Sequence, residues 1–255
     1  MWPVFLTYLL AFVGIVAFTL VAAAVVRDLH PELPEQEVFT GLPGLLAGGI
    51  AASAALMMTV LSVVRPFAPA RLRLVPGLET GPVLVAMIVG TLAWGQTLDS
   101  ATEVAGLSHR GAMAAIRRAL EGAVGVDLFA AVVVIGILAG TAEEIFFRGY
   151  MQTSLVHRWP APVAILLTSA AFGLLHLDWL HGVLAFLLGV WLGFITERAA
   201  SALPAVVAHV VNNALFTLLT AAGVTVEGVR ANLVLGGVAL AVFAGCAMVV
   251  GRLGR

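Results

Sequence analysis

Apolar runs of about twenty residues follow one another along the whole chain, and they leave little choice of fold. A helix needs about 20 apolar residues to cross the hydrocarbon core of a bilayer, and such runs fall at roughly 3–26, 42–64, 81–97, 126–157, 161–179, 182–198, 202–222 and 231–251. The expected fold class is all-α, a polytopic integral membrane helical bundle of about eight transmembrane helices. Composition agrees. Of 255 residues 61% are hydrophobic and 11% charged, against about 45–50% and about 25% in a soluble domain. The first run is read as a span and not as a cleavable signal peptide, because it is too long and no basic stretch precedes it.

Between the spans, Pro31 and Pro34 mark one loop, and Arg65, Pro66, Pro69, Arg71 and Arg73 mark another. The stretch SHRGAMAAIRRALEGAVG sets Arg110, Arg117 and Arg118 among small apolar residues at helical spacing, which predicts a helix lying in the membrane interface. Two regions are expected: 1–122, with N-terminal spans and the interfacial helix, and 123–255, a transmembrane core. The single cysteine, Cys246, excludes a disulfide framework and a cysteine-based metal site. The arginines form no cluster that would track a nucleic acid, so none is expected as a partner. If both termini are cytoplasmic, Arg65, Arg71, Arg73, Arg148, Arg158, Arg198, Arg252 and Arg255 fall on or toward that side. Arg27, Arg110, Arg117, Arg118 and Arg230 fall opposite.

The polar residues inside the spans carry the functional information, since an ionisable group there costs at least about 2.5–3.5 kcal/mol and marks a site by default. They are Glu143, Glu144 and Arg148 in the fourth span, His176 in the fifth, and His209, Asn212 and Asn213 in the seventh. Glu144 and Arg148 are four apart and share a helix face, which predicts a pair. Glu143 is turned about 100° from Glu144, so it can face elsewhere. Glu143 precedes Trp159 by 16 residues and His176 follows it by 17, which sets both about 24–26 Å from the intervening turn. His209 and Asn213, counted from Ser201, come out roughly 8–14 Å shallower, a gap that tilt or a bend near Pro204 would have to close.

Three motifs then stand in order on late spans: E-E-x-x-x-R in EEIFFRG, F-x-x-x-H in FGLLH from Phe172 to His176, and H-x-x-x-N in HVVNN from His209 to Asn213. The ordered set resembles the type II CAAX prenyl endopeptidases, the CPBP or Abi family of intramembrane proteases, over roughly residues 125–220. The resemblance implies a hydrolase acting by glutamate-activated water. Glu143 would be the base, His176 would help to hold the water, and His209 and Asn213 would face the tetrahedral intermediate. Glu144 and Arg148 would hold the fourth helix, and Phe172 would pack beside the site. A buried glutamate suits a general base physically, because burial favours its neutral form. No cofactor is required on this reading, although a zinc ion held by Glu143, His176 and His209 is the metal-dependent version.

Other intramembrane protease chemistries fit less well. There is no H-E-x-x-H, Ser169 lacks a base, and Asp127 and Asp178 sit at span ends. Outside the protease class, the same polar residues could serve a transporter, or a silent peptide-binding or immunity-type protein. The resemblance further implies a membrane-associated polypeptide substrate, of the prenylated CAAX type or with a cleavable C-terminal tail. The lipid bilayer is the surroundings, and a bacterial inner membrane is the expected location.

Overall fold

A computed structural model describes residues 2–253, and Arg255 of the orientation count lies outside them. The described residues are helical with no strand: α1 Trp2–Leu29, α2 Glu37–Thr40, α3 Leu42–Val63, α4 Gly81–Val104, α5 Gly111–Leu120, α6 Gly125–Val156, α7 Ala161–Leu174, α8 Trp179–Ala199, α9 Leu203–Ala221 and α10 Val229–Gly251. Seven of them, α1, α3, α4, α6, α8, α9 and α10, are long and apolar enough to cross a bilayer, and α7 is an apolar helix of 14 residues. The protein is an integral, multi-pass membrane protein.

Helix α6 carries the central motif and is not uniformly wound. Its Gly140–Glu144 turn lies between two π-helical stretches, Val132–Ala139 and Ile145–Gln152. The first contains Val132, Val133, Val134 and Ile135, β-branched residues that crowd the preceding turn of an α-helix, so a wider winding relieves them. π-Helical turns occur preferentially at functional sites. Here they bracket both glutamates.

Two apolar clusters build the interior. Phe146, Phe147, Met151 and Leu155 of α6 pack with Leu56 and Val60 of α3, Ala11 of α1, and Ala164 and Phe172 of α7. Met87 of α4 packs with Trp191, Leu192 and Ile195 of α8, Ala205 and Ala208 of α9, and Val250 of α10. Each cluster draws on helices before and after residue 122. The two meet where α6 faces α8, and there the contact is polar.

The stretch expected to lie in the interface is helical, as α5. Ala114 and Leu120 are buried, while Arg117 pairs with Asp99 and lies 5.2 Å over the Phe216 ring.

Two expectations need correction. His176 is not within a span: α7 ends at Leu174, and His176 lies in the turn that follows. Leu177 takes a left-handed backbone (φ 53°), and Asp178 caps α8 by accepting the His181 N–H at 2.8 Å, so the chain reverses at once. Gly173 and Gly182 permit the reversal, since a Cβ at Gly173 would fall 2.5 Å from the Gly182 carbonyl oxygen.

The separation of His209 from the two glutamates that depth counting gives is not found: its ring nitrogens lie 3.8 Å from Glu143 Oε2 and 2.8 Å from Glu144 Oε1. Pro204 sits in the first turn of α9, where proline is compatible with a straight helix. The α8–α9 turn is instead set inside the molecule. Ser201 and Ala202 are fully buried, with the Ala202 N–H donated to the Arg73 carbonyl and the Ser201 hydroxyl to the Val75 carbonyl. Helix α9 therefore starts from a turn packed within the protein and not from an exposed loop.

Candidate active site

Four side chains from two helices make one buried group. Glu144 and Arg148 are both fully buried, with Arg148 Nη1 donating to Glu144 Oε1 at 2.7 Å. The same oxygen meets His209 Nδ1 at 2.8 Å. The second guanidinium nitrogen, Nη2, donates to the Gly189 carbonyl at 3.0 Å, and the guanidinium lies 4.9 Å from the Phe172 ring centre. This arginine is thus met by a carboxylate, a carbonyl and an aromatic face, the partners a buried cation needs.

Glycine makes room for it. A Cβ at Gly189 would come within 2.9 Å of Arg148 Nη2 and 3.2 Å of both Phe172 and Ser169.

Glu143 points differently. Its side chain is 24% exposed, and its Oε2 faces the other ring nitrogen of His209, Nε2, at 3.8 Å. The imidazole of His209 therefore stands between two carboxylates. A carboxylate only accepts, so against ionised Glu144 the Nδ1 atom carries the proton, and Nε2 presents a lone pair toward Glu143 in the neutral ring. Glu144 sets the tautomer that Glu143 sees.

His176 joins this group indirectly. Its Nδ1 lies 2.9 Å from the Phe172 carbonyl, which makes it the N–H end and leaves Nε2 as the accepting end. The Phe172 ring stands edge-on to His176 at 5.0 Å and to His209 at 5.9 Å between ring centres. Asn213, one turn beyond His209, donates from Nδ2 to the Ile135 carbonyl in the first π-helical stretch at 3.4 Å. Glu143, Glu144, Arg148 and His209 thus form one cluster, while His176 and Asn213 flank it. Ser169 is buried beside Gly189, and no base accompanies its hydroxyl.

Among the described residues no three His, Cys, Asp or Glu side chains gather closely enough to hold a metal ion, Glu143, His176 and His209 included.

Below the cluster the α6–α8 contact continues as a polar seam that the motifs do not announce. Gln152, one turn beyond Arg148, donates to the Gly193 carbonyl at 3.0 Å and to Glu197 Oε1 at 2.8 Å. Glu197 in turn pairs with Arg73 at 2.6 Å. The four-residue steps Glu144, Arg148, Gln152 and Gly189, Gly193, Glu197 are the signal that could have revealed it.

With this geometry in hand, comparison with known proteins becomes informative. Residues 125–215 match the Rce1-like family model, described as type II CAAX prenyl endopeptidase Rce1-like. The matched stretch covers α6, α7, α8 and most of α9, and contains all three motifs. The Rce1-like segment is thus similar, at the level of the family, to CAAX-type membrane proteases, which act on membrane-associated polypeptides. No curated protein matches the chain, and no solved structure does.

Proposed function

We propose that the protein is an intramembrane endopeptidase in which Glu143 activates water for attack on a peptide bond. The observation that carries this reading is the pairing of Glu143 Oε2 with His209 Nε2 across 3.8 Å, with Glu143 the accessible member of the two glutamates. Glu144 is committed to Arg148 and His209, so it is a positioning residue and not a second base.

In the proposed reaction, Glu143 takes a proton from water while His176 Nε2 accepts from its other hydrogen. The new C–O bond forms as the carbonyl π electrons move onto oxygen. The resulting oxyanion faces His209 and the Asn213 amide. When the His209 ring carries a second proton, Nε2 donates to the oxyanion, and Glu144 on the opposite edge balances the imidazolium charge. Collapse breaks the C–N bond, and Glu143 delivers its proton to the departing amine. The substrate is a membrane-associated polypeptide, prenylated at a CAAX end or carrying a C-terminal tail, and the membrane is a bacterial inner membrane.

The test is turnover of a quenched fluorescent peptide library, farnesylated members included, by detergent-purified protein and its Glu143→Gln variant, with and without chelator. Cleavage lost in Glu143→Gln and kept with chelator is the expected result. Full activity in Glu143→Gln overturns the base assignment. Loss with chelator and recovery with zinc favours a metalloprotease, and no cleavage in any condition favours transport or peptide binding.

A further inference from the structure

An asparagine amide can serve an oxyanion only with its nitrogen turned toward it, because the oxygen end accepts and does not donate. Rotation by half a turn exchanges the two ends at little steric cost. Asn213 is placed to face the oxyanion in the proposed reaction, so something must choose its orientation. The H-x-x-x-N motif does not say what.

The Ile135 carbonyl, which can only accept, makes one half of the choice, and the preceding residue makes the other. Asn212 Nδ2 donates to Asn213 Oδ1 at 3.3 Å, which marks that atom as the acceptor. Asn213 Nδ2 gives one hydrogen to the Ile135 carbonyl and keeps the other. A flipped Asn213 would set its nitrogen against the Asn212 nitrogen and its oxygen against the Ile135 oxygen, two repulsive contacts in place of two bonds.

Asn212 is itself located by α4. A Cβ at Gly95 would lie 2.7 Å from Asn212 Oδ1, so the amide fills the space left by the missing side chain. Helix α4 lies outside the matched stretch.

We propose that Asn212, seated against Gly95, is a positioning residue that holds the Asn213 amide nitrogen toward the reacting carbonyl. This rests on the endopeptidase reading. Orientation of an oxyanion donor acts on the transition state more than on bound substrate, so kcat changes and KM does not.

The experiment is a double-mutant cycle on hydrolysis of a farnesylated CAAX peptide, using Asn212→Leu, Asn213→Ala and the double variant. Binding of the same peptide and of its phosphinate analogue, a stable tetrahedral anion, is measured alongside. The expected result is a fall in kcat of about 10- to 100-fold in Asn212→Leu with KM unchanged. No further loss should appear when Asn213→Ala is already present. Phosphinate affinity should fall by a similar factor while peptide affinity stays.

Gly95→Ala, which crowds the Asn212 amide without altering α9, should show the same split if Asn212→Leu does not fold. Independent, multiplying losses in the cycle overturn the inference, as does equal weakening of phosphinate and peptide. Should the peptide go uncleaved, the endopeptidase reading fails by that readout. Phosphinate affinity still decides the role of Asn212: selective weakening in Asn212→Leu supports it, and unchanged affinity overturns it.

Discussion

Adjacent in sequence, Glu143 and Glu144 occupy opposite environments. Glu144 is fully buried, with its Oε1 accepting from Arg148 Nη1 and meeting His209 Nδ1. Glu143 faces α9 at the edge of the α6–α8 seam, partly exposed, with no guanidinium beside it and a histidine nitrogen at 3.8 Å. One helical step separates a carboxylate bonded to an arginine and a histidine from one that is partly exposed. The difference teaches that the cluster is built to hold His209 still, from behind, while leaving one oxygen in front available.

Substitutions should separate the two environments. The largest effect is expected on activity: Glu143→Gln lowers hydrolysis by about 10²- to 10⁴-fold, as loss of a general base does, while its melting temperature in detergent stays near that of the parent. A large drop in that temperature would break the contrast, because it would make Glu143 structural as well.

Next in size is Arg148→Ala, which leaves Glu144 buried beside His209 without its cation. Removing one partner of a buried pair costs about 3–5 kcal/mol, and chemical denaturation should read a loss of that order together with lost activity. Glu144→Ala should fall in the same direction on both readouts.

Gly189→Ala tests the seam without removing a charge, since its Cβ would press on Arg148, Phe172 and Ser169 at once. Overpacking of this kind costs about 1–3 kcal/mol, and a neutral result would show that the guanidinium can move aside. The smallest effect belongs to Arg27→Ala, whose pairing with Glu35 is solvent-exposed on both sides. No measurable change in melting temperature is expected there, which calibrates the buried pair against a surface one.

Much of the site could be read from residue spacing. Four-residue intervals put Glu144 with Arg148, and His209 with Asn213, on common helix faces. The apolar surroundings singled these residues out as costly and therefore purposeful. Spacing within one helix says nothing about a neighbouring helix, however. For that reason Gln152, Gly189, Gly193 and Glu197 passed unnoticed as partners, although each lies on the same ladder. Asn212 was visible as an intramembrane polar residue, but its relation to Gly95 spans 117 positions and has no local signature. The end of α7 was misplaced because LHLDWLH is apolar enough to continue a span, while the turn is made by a left-handed leucine and an aspartate cap.

By itself the sequence determined that this chain is a helical membrane protein, where most of its spans begin and end to within a few residues, and which few polar groups the bilayer would have to tolerate. Those follow from local physics: the length of a helix that crosses hydrocarbon, and the cost of a charge within it. Tertiary structure alone decided that the α8–α9 turn is buried against Arg73 and Val75, and that His209 reaches the two glutamates. It also decided that Glu144 is held from both sides while Glu143 remains open. Depth and facing are relations between helices, set by which turns are inset and where glycine lets two helices approach, and no single segment encodes them.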